Sequence, residues 1–352
     1  MIIINIKGDM KYGLPYKGSK NRLAEHIVRL MPKADHLIDL FCGGCAVSHA
    51  AMLAGKYKHI HINDCDWRPV TLFMDVLAGR YQDDTRWISR EQFLQLKDTD
   101  PYVAIIWSFG NNMRDYLYSR EIEPLKRAIH YAIFYNDYKP AAELGHDLSF
   151  IDQLNDTRRK YIAVKRYFEQ YGHFQQQSFE GGQSYTNRLE HYERSVCKAS
   201  NRGGVQLLSQ TTRRVPAHRE PTLHTTDCST ESGIMRCLTI RGGQNLTSSI
   251  QDYADVAIPK GSVVYCDIPY RDTNVYDKDN AFEYERFYDW CAHQTEPVFI
   301  SSYEMPRDRF TCIDEITHRS TLSATANIQV TERIFIPNHQ HPPKRPVQLS
   351  LF

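Results

Sequence analysis

The stretch from His36 to Asp64 constrains the fold more than any other. His36-Leu37-Ile38-Asp39-Leu40-Phe41 has the length and apolar character of a buried strand. Cys42-Gly43-Gly44-Cys45 ends it in a turn, Ala46 to Leu53 read as a helix, and Gly55 closes that helix. His59-Ile60-His61-Ile62 form a second short strand that ends at Asn63-Asp64. Strand, glycine-rich turn, helix and strand within about 30 residues make a βαβ unit. Such a unit commits the chain to a parallel sheet with helices on its faces.

A ligand of such a sheet binds at the carboxyl ends of the strands. Here those ends carry Asp39, Phe41, Gly43 and Asp64. Glycine lets the backbone approach a ligand closely, and an acid ending the second strand accepts hydrogen bonds from ribose hydroxyls. An ordinary strand-to-helix turn would use the same residues. The G-x-G-x-x-G spacing of a nicotinamide site is missing.

Upstream, Ser19 is placed to cap a helix whose apolar face is Leu23, Ile27 and Leu30. Downstream, residues 76 to 244 break the α/β pattern. Ser89 and Gln92 suggest a capping box, and Glu123 to Tyr135 and Phe150 to Tyr171 read as amphipathic helices. From Phe174 to Gly243 the chain is polar. Strand character returns at Ser262 to Cys266 and at Pro297 to Tyr303, with a helix from Phe282 to Ala292 between them. Phe310 to Ile316 and Gln329 to Ile336 suit a closing pair of strands. The catalytic fold therefore starts, is interrupted, and resumes.

The second strand run leads into Asp267-Ile268-Pro269-Tyr270. An aromatic amino group is a poor nucleophile, because its lone pair is delocalised into the ring. A carboxylate and a main-chain carbonyl can accept its two hydrogens and localise that pair, where positive charge develops. A tyrosine face can stack on a base swung out of a duplex. A strand end with a proline turn is the plain alternative.

In their order these segments resemble the Dam-like DNA adenine methyltransferases. Tyr16-Lys17-Gly18-Ser19-Lys20 is similar to the family's amino-terminal motif, Asp39 to Cys45 to its Asp-x-Phe-x-Gly-x-Gly turn, and Asn63-Asp64 to its second acidic strand end. Asp267 to Tyr270 is similar to Asp-Pro-Pro-Tyr, and Ser301-Ser302-Tyr303 and Glu332 to Asn338 to later segments. The chain departs from the pattern at Cys45, where the family has its last glycine, and at Ile268, where it has the first proline.

The resemblance implies a Rossmann-like methyltransferase sheet, mostly parallel with one antiparallel strand near an edge. Residues 1–75 and 245–336 would form the catalytic domain and 76–244 an inserted target-recognition lobe. It also implies S-adenosylmethionine as methyl donor, no metal, and double-stranded DNA as substrate. Tyr16, Lys20, Asp39, Phe41, Gly43, Asp64 and Asp267 would bind the cofactor. Asp267, Ile268, Pro269 and Tyr270 would act on adenine. Methylation of the cytosine amino group and an inactive DNA-binding relative are the rivals. Whether a restriction partner exists, and whether the origin is bacterial or phage, stays open.

Net charge is only +1, so partners must be read regionally. From Asp156 to Glu220 there are 12 Lys and Arg against 6 Asp and Glu, a local net of +6. Arg202, Arg213 and Arg214 are the candidates for phosphate contact. Nine scattered cysteines, an odd number, suit a reducing compartment. Cys42 and Cys45 lack the second pair that a zinc site needs. With no apolar run of signal or membrane-spanning length, a cytoplasmic protein is expected. Finally, Gln348-Leu349-Ser350-Leu351-Phe352 resembles the short motif that binds the bacterial sliding clamp, and Pro342 to Pro346 precede it as an extended tether.

Overall fold

The computed structural model describes residues 12–81, 84–170, 226–230, 233–240, 243–270, 282–319 and 329–342. Their strands are β1 (His36–Asp39), β2 (His59–Asn63), β3 (Thr226–Thr230), β4 (Gly233–Ile240), β5 (Gln244–Ser249), β6 (Ser262–Asp267), β7 (Val298–Ser302), β8 (Phe310–Arg319) and β9 (Gln329–Pro337). All join one sheet in the order β3-β4-β5-β2-β1-β6-β7-β9-β8. The five central strands, β5 to β7 in that order, pair in parallel. The expected antiparallel strand is β9, wedged between β7 and β8. A second, β4, runs against β5 at the other side. The sheet thus takes in a hairpin, β3–β4, that precedes the boundary at 245 read from the sequence.

Alternation along the central strands serves two cores. Leu37, Val263, Tyr265 and Phe299 face one apolar cluster, while Ile38, Val264, Cys266 and Ile300 face the other. A strand covered on both sides has no polar face, which is why β1 and β6 read as continuous apolar runs. On the first side lie α1 (Ala24–Leu30), α2 (Ala46–Ala54) and α3 (Trp67–Leu77), on the second α9 (Tyr284–Ala292).

Between β2 and β3 the described chain is helical: α4 (Arg90–Leu96), α5 (Pro101–Ile106), α6 (Glu123–Tyr135), α7 (Lys139–Glu143) and α8 (Thr157–Gln170). Their ends are met locally. Ser89 and Gln92 form both arms of the capping box, and Asp100 accepts from the amides of Tyr102 (2.9 Å) and Val103 (3.1 Å). Trp87, Trp107, Tyr116 and Tyr118 build an aromatic core that is continuous with the first cluster.

Two local readings need correction. Ser19 does not cap α1, which begins at Ala24 with no side-chain cap. The residues around Ser19 are committed instead to carrying Tyr16 and Lys20 across the sheet. The helix expected from Phe150 begins only at Thr157, where the Asp156 carboxylate accepts the Arg159 amide (3.0 Å). Phe150 belongs to a single 3-10 turn before it.

Candidate active site

Sheet order changes direction between β1 and β6: the chain leaves β1 toward β2 and leaves β6 toward β7. That switch point is where a doubly wound sheet opens a crevice at its carboxyl edge. Asp39 ends β1 and Asp267 ends β6, on adjacent strands.

The β1–β2 side is a tight backbone cradle. Cys45 starts α2 at φ +57°, a left-handed conformation that normally calls for glycine. Gly13 lies against this turn so closely that a Cβ would fall 2.2 Å from the Gly44 carbonyl oxygen. Leu14 donates its amide to that same oxygen (2.7 Å), and the Tyr16 ring lies over Gly43 and Gly44. The Gly43 amide donates to Asp64 Oδ2 (2.9 Å). Asp39 is buried; its Oδ2 accepts from the Ser48 hydroxyl (2.6 Å), whereas its Oδ1 has no partner among the described residues. Phe41 stands apart, its half-buried ring packed on Tyr253, Phe282 and Phe287.

On the β6 side the charges answer one another. Lys20 reaches Asp267 Oδ1 at 2.7 Å and Glu332 Oε1 at 3.4 Å, and donates to the Tyr270 hydroxyl. That hydroxyl donates in turn to Glu332 Oε1. Ile268 is buried in the second core, and the Tyr284 hydroxyl donates to the Pro269 carbonyl (2.9 Å). The Tyr270 ring stacks on Tyr303, with centroids 4.1 Å apart and planes 24° from parallel.

Burial pushes all three carboxyls up. Asp39 rises to about 7, its Ser48 bond opposing the rise and the charges of Asp267 and Asp64 adding to it. Asp64 rises to about 6, held back by the Asp66 and Gly43 amides. Asp267 also rises to about 6; Lys20 pulls it down and Glu332 pushes it up. Burial works against the Lys20 charge, yet Asp267 and Glu332 outweigh it and hold the ammonium above its ordinary value. The crevice is therefore acidic on its β1 side, while on its β6 side one internal cation is shared by two carboxyls.

The D12 class N6 adenine-specific DNA methyltransferase family matches residues 16–194, half of the chain. The chain belongs to this family. It is an adenine-specific DNA methyltransferase that depends on S-adenosylmethionine. No curated protein matches the chain. The rRNA methyltransferase AviRa from Streptomyces viridochromogenes is a similar solved structure at 10% identity and a TM-score of 0.31, covering 94% of this chain and 90% of its own.

The methyltransferase's crevice suits its cofactor. S-adenosylmethionine is cationic at its sulfonium and its ammonium. A buried carboxylate oxygen without a donor, in a cradle of glycines, is the complement such a cation needs.

Sequence reasoning brought Tyr16, Lys20, Asp39, Gly43, Asp64 and Asp267 to Tyr270 to the switch point, and these do gather there. It missed Gly13, Glu332 and Tyr303. Glu332 and Tyr303 lay in segments noted for resemblance, but Glu332 stands between Thr331 and Arg333 in the polar half of its strand, where an acid is unremarkable. Gly13 had no signal. The expected DNA contacts Arg202, Arg213 and Arg214 and the tail residues Gln348, Leu349, Leu351 and Phe352 lie outside the described residues. Among the described residues no helix is long and apolar enough to cross a membrane, and no three His, Cys, Asp or Glu side chains group to hold a metal.

Proposed function

We propose that this methyltransferase modifies the exocyclic amino group of an adenine turned out of duplex DNA into the crevice between β1 and β6. The observation that carries the reading is the pairing of an unsatisfied acidic cradle with a cation-held carboxylate on the adjacent strand. Asp39, Asp64, Gly43 and Tyr16 would hold S-adenosylmethionine, with Lys20 beside them. When bound, that group supplies an electrophilic methyl on a sulfonium.

The chain's own work is at the amino group. Asp267 and the Ile268 carbonyl accept its two hydrogens, which localises the nitrogen lone pair and meets the positive charge that develops there. Lys20 keeps Asp267 ionised at neutral pH against the cost of burial. The Tyr284 bond to the Pro269 carbonyl fixes the backbone that aims the Ile268 carbonyl. Tyr270 offers its ring face to the base. Residues 1–75 and 226–336 act as the catalytic unit, since the β3–β4 hairpin joins its sheet, and 76–225 as the target-recognition lobe, with Arg202, Arg213 and Arg214 on phosphates. Incubation with labelled S-adenosylmethionine and duplex DNA, followed by nucleoside analysis, tests the reading. N6-methyladenine is expected. N4-methylcytosine would move the assignment to the cytosine rival, and no product would leave a DNA-binding relative.

We also propose that residues 348–352 dock on the bacterial sliding clamp, which would concentrate the enzyme on newly made duplex in the cytoplasm. Leu349, Leu351 and Phe352 are three large apolar side chains beyond a proline-rich tether, and a partner groove would bury them. Binding to purified clamp should be lost on deleting 348–352; binding that survives the deletion, or is absent from both forms, sinks the proposal.

A further inference from the structure

Two neighbouring strand ends each deliver a tyrosine to the crevice, Tyr270 beyond β6 and Tyr303 beyond β7, and the two rings stack. Ring centroids 4.1 Å apart leave no room for a third ring, because two successive contacts require about 7–8 Å. The ring face that Tyr270 turns toward Tyr303 is already taken. One of the two rings must yield before a base can use that face.

The anchors of the two rings are unequal. Tyr270 is tied through its hydroxyl to Lys20 and to the buried Glu332 carboxylate, the same groups that hold Asp267. Tyr303 is half-buried, and among the described residues its hydroxyl makes no hydrogen bond. What holds Tyr303 besides the stack is its backbone, whose carbonyl accepts from Arg333 while Arg333 is paired with Glu315 (2.8 Å). Rotating the Tyr303 side chain therefore breaks one stack and no ion pair. Moving Tyr270 would open the Lys20–Glu332–Asp267 network.

We infer that Tyr303 is a placeholder for the target base: its ring fills the stacking position on Tyr270, and base capture exchanges one aromatic ring for another. This rests on the base-stacking role proposed for Tyr270. An exchange keeps the acidic floor of the crevice covered when no base is present. It also sets a threshold, since an extruded base must outcompete a ring already stacked. Tyr303 is then a positioning residue that tunes base entry and takes no part in bond making.

The test uses full-length protein and two duplexes carrying a target site mapped from methylated host DNA. One holds 2-aminopurine at the target position, the other an abasic nucleotide. Tyr303→Ala removes the competitor, so its affinity for the base-containing duplex should rise about 2- to 10-fold, the worth of one aromatic stack. Its 2-aminopurine fluorescence change should begin at lower protein concentration. Affinity for the abasic duplex should not change, and Tyr303→Phe, which keeps the ring, should behave as wild type on both. Tyr303→Leu serves as a second ring-free variant if the alanine variant melts early. Equal or weaker binding of the base-containing duplex by folded ring-free variants overturns the placeholder. If wild type binds the two duplexes alike with the target base still stacked, the base-extrusion reading itself fails, and the inference with it.

Discussion

The two sides of the crevice handle buried charge in opposite ways. On the β1 side Asp39 keeps one carboxylate oxygen without a partner among the described residues, and Asp64 spends its oxygens on backbone amides. On the β6 side Asp267 and Glu332 share an internal cation, Lys20, and a tyrosine hydroxyl. Unpaired burial costs stability and leaves a site waiting for a cation. Paired burial holds an acceptor ionised and in place before substrate arrives. The β1 side leaves a buried acceptor open among the described residues, and the β6 side pairs its acceptors internally.

Mutations should separate the two sides, and the largest effect belongs to Asp267→Ala. Loss of a positioned acceptor at developing charge costs about 3 kcal/mol or more, hence a fall in kcat of at least about 100-fold. Lys20 retains Glu332 in that variant, so circular dichroism should show a folded protein. Near-wild-type turnover would break the assignment of chemistry to the β6 side.

Next comes Lys20→Met, which leaves two buried carboxylates facing one another. Wild-type activity should decline as pH falls through about 6, where Asp267 takes up a proton. Without the ammonium that limb of the kcat/KM profile should move to higher pH by about one unit or more. Activity at about pH 7 should then fall about twofold for a shift of about one unit and about tenfold for about two. An unmoved limb would mean that Lys20 does not govern Asp267.

Asp39→Asn sharpens the comparison, because function and stability should part. Loss of a charged acceptor should weaken S-adenosylmethionine binding about tenfold or more by calorimetry. The apo protein should become more stable. Asp39 titrates near 7 when folded against an ordinary 3.8, so between about pH 4 and 7 the folded chain binds a proton that the unfolded chain has lost. Its contribution therefore lowers stability as pH rises through that window. Removing the acid should raise Tm on the order of 4 °C above pH 7, with the gain vanishing below about pH 4. A lower Tm at pH 8 would show that Asp39 is satisfied after all.

The smallest effect is expected at Cys45. Its left-handed backbone favours glycine, while its buried thiol fills the core. Cys45→Gly relieves the first and loses the second, for a net change within about 1 kcal/mol. Cys45→Ala loses the thiol and keeps the strain, so it should melt at or below the glycine variant. The reverse order in thermal melts would discount the strain.

Features encoded within a few residues of one another were legible in the sequence. The run from His36 to Asp64 announced a strand, turn, helix and strand, Ser89 and Gln92 announced a cap, and Asp267 to Tyr270 announced a strand end with an acid and an aromatic. Periodicity and turn chemistry are local, so a single chain displays them. Tertiary structure alone decided which strand ends meet. Ser19 looked like a cap because its neighbours fit one, yet the segment is drawn across the sheet by Lys20, whose partner Tyr270 lies 250 residues on. Glu332 becomes a site residue only because β9 folds back antiparallel beside β7, and Tyr303 only because β7 pairs with β6. Such contacts depend on strand order, and strand order follows from burying both faces of the whole sheet, a condition that no short segment carries.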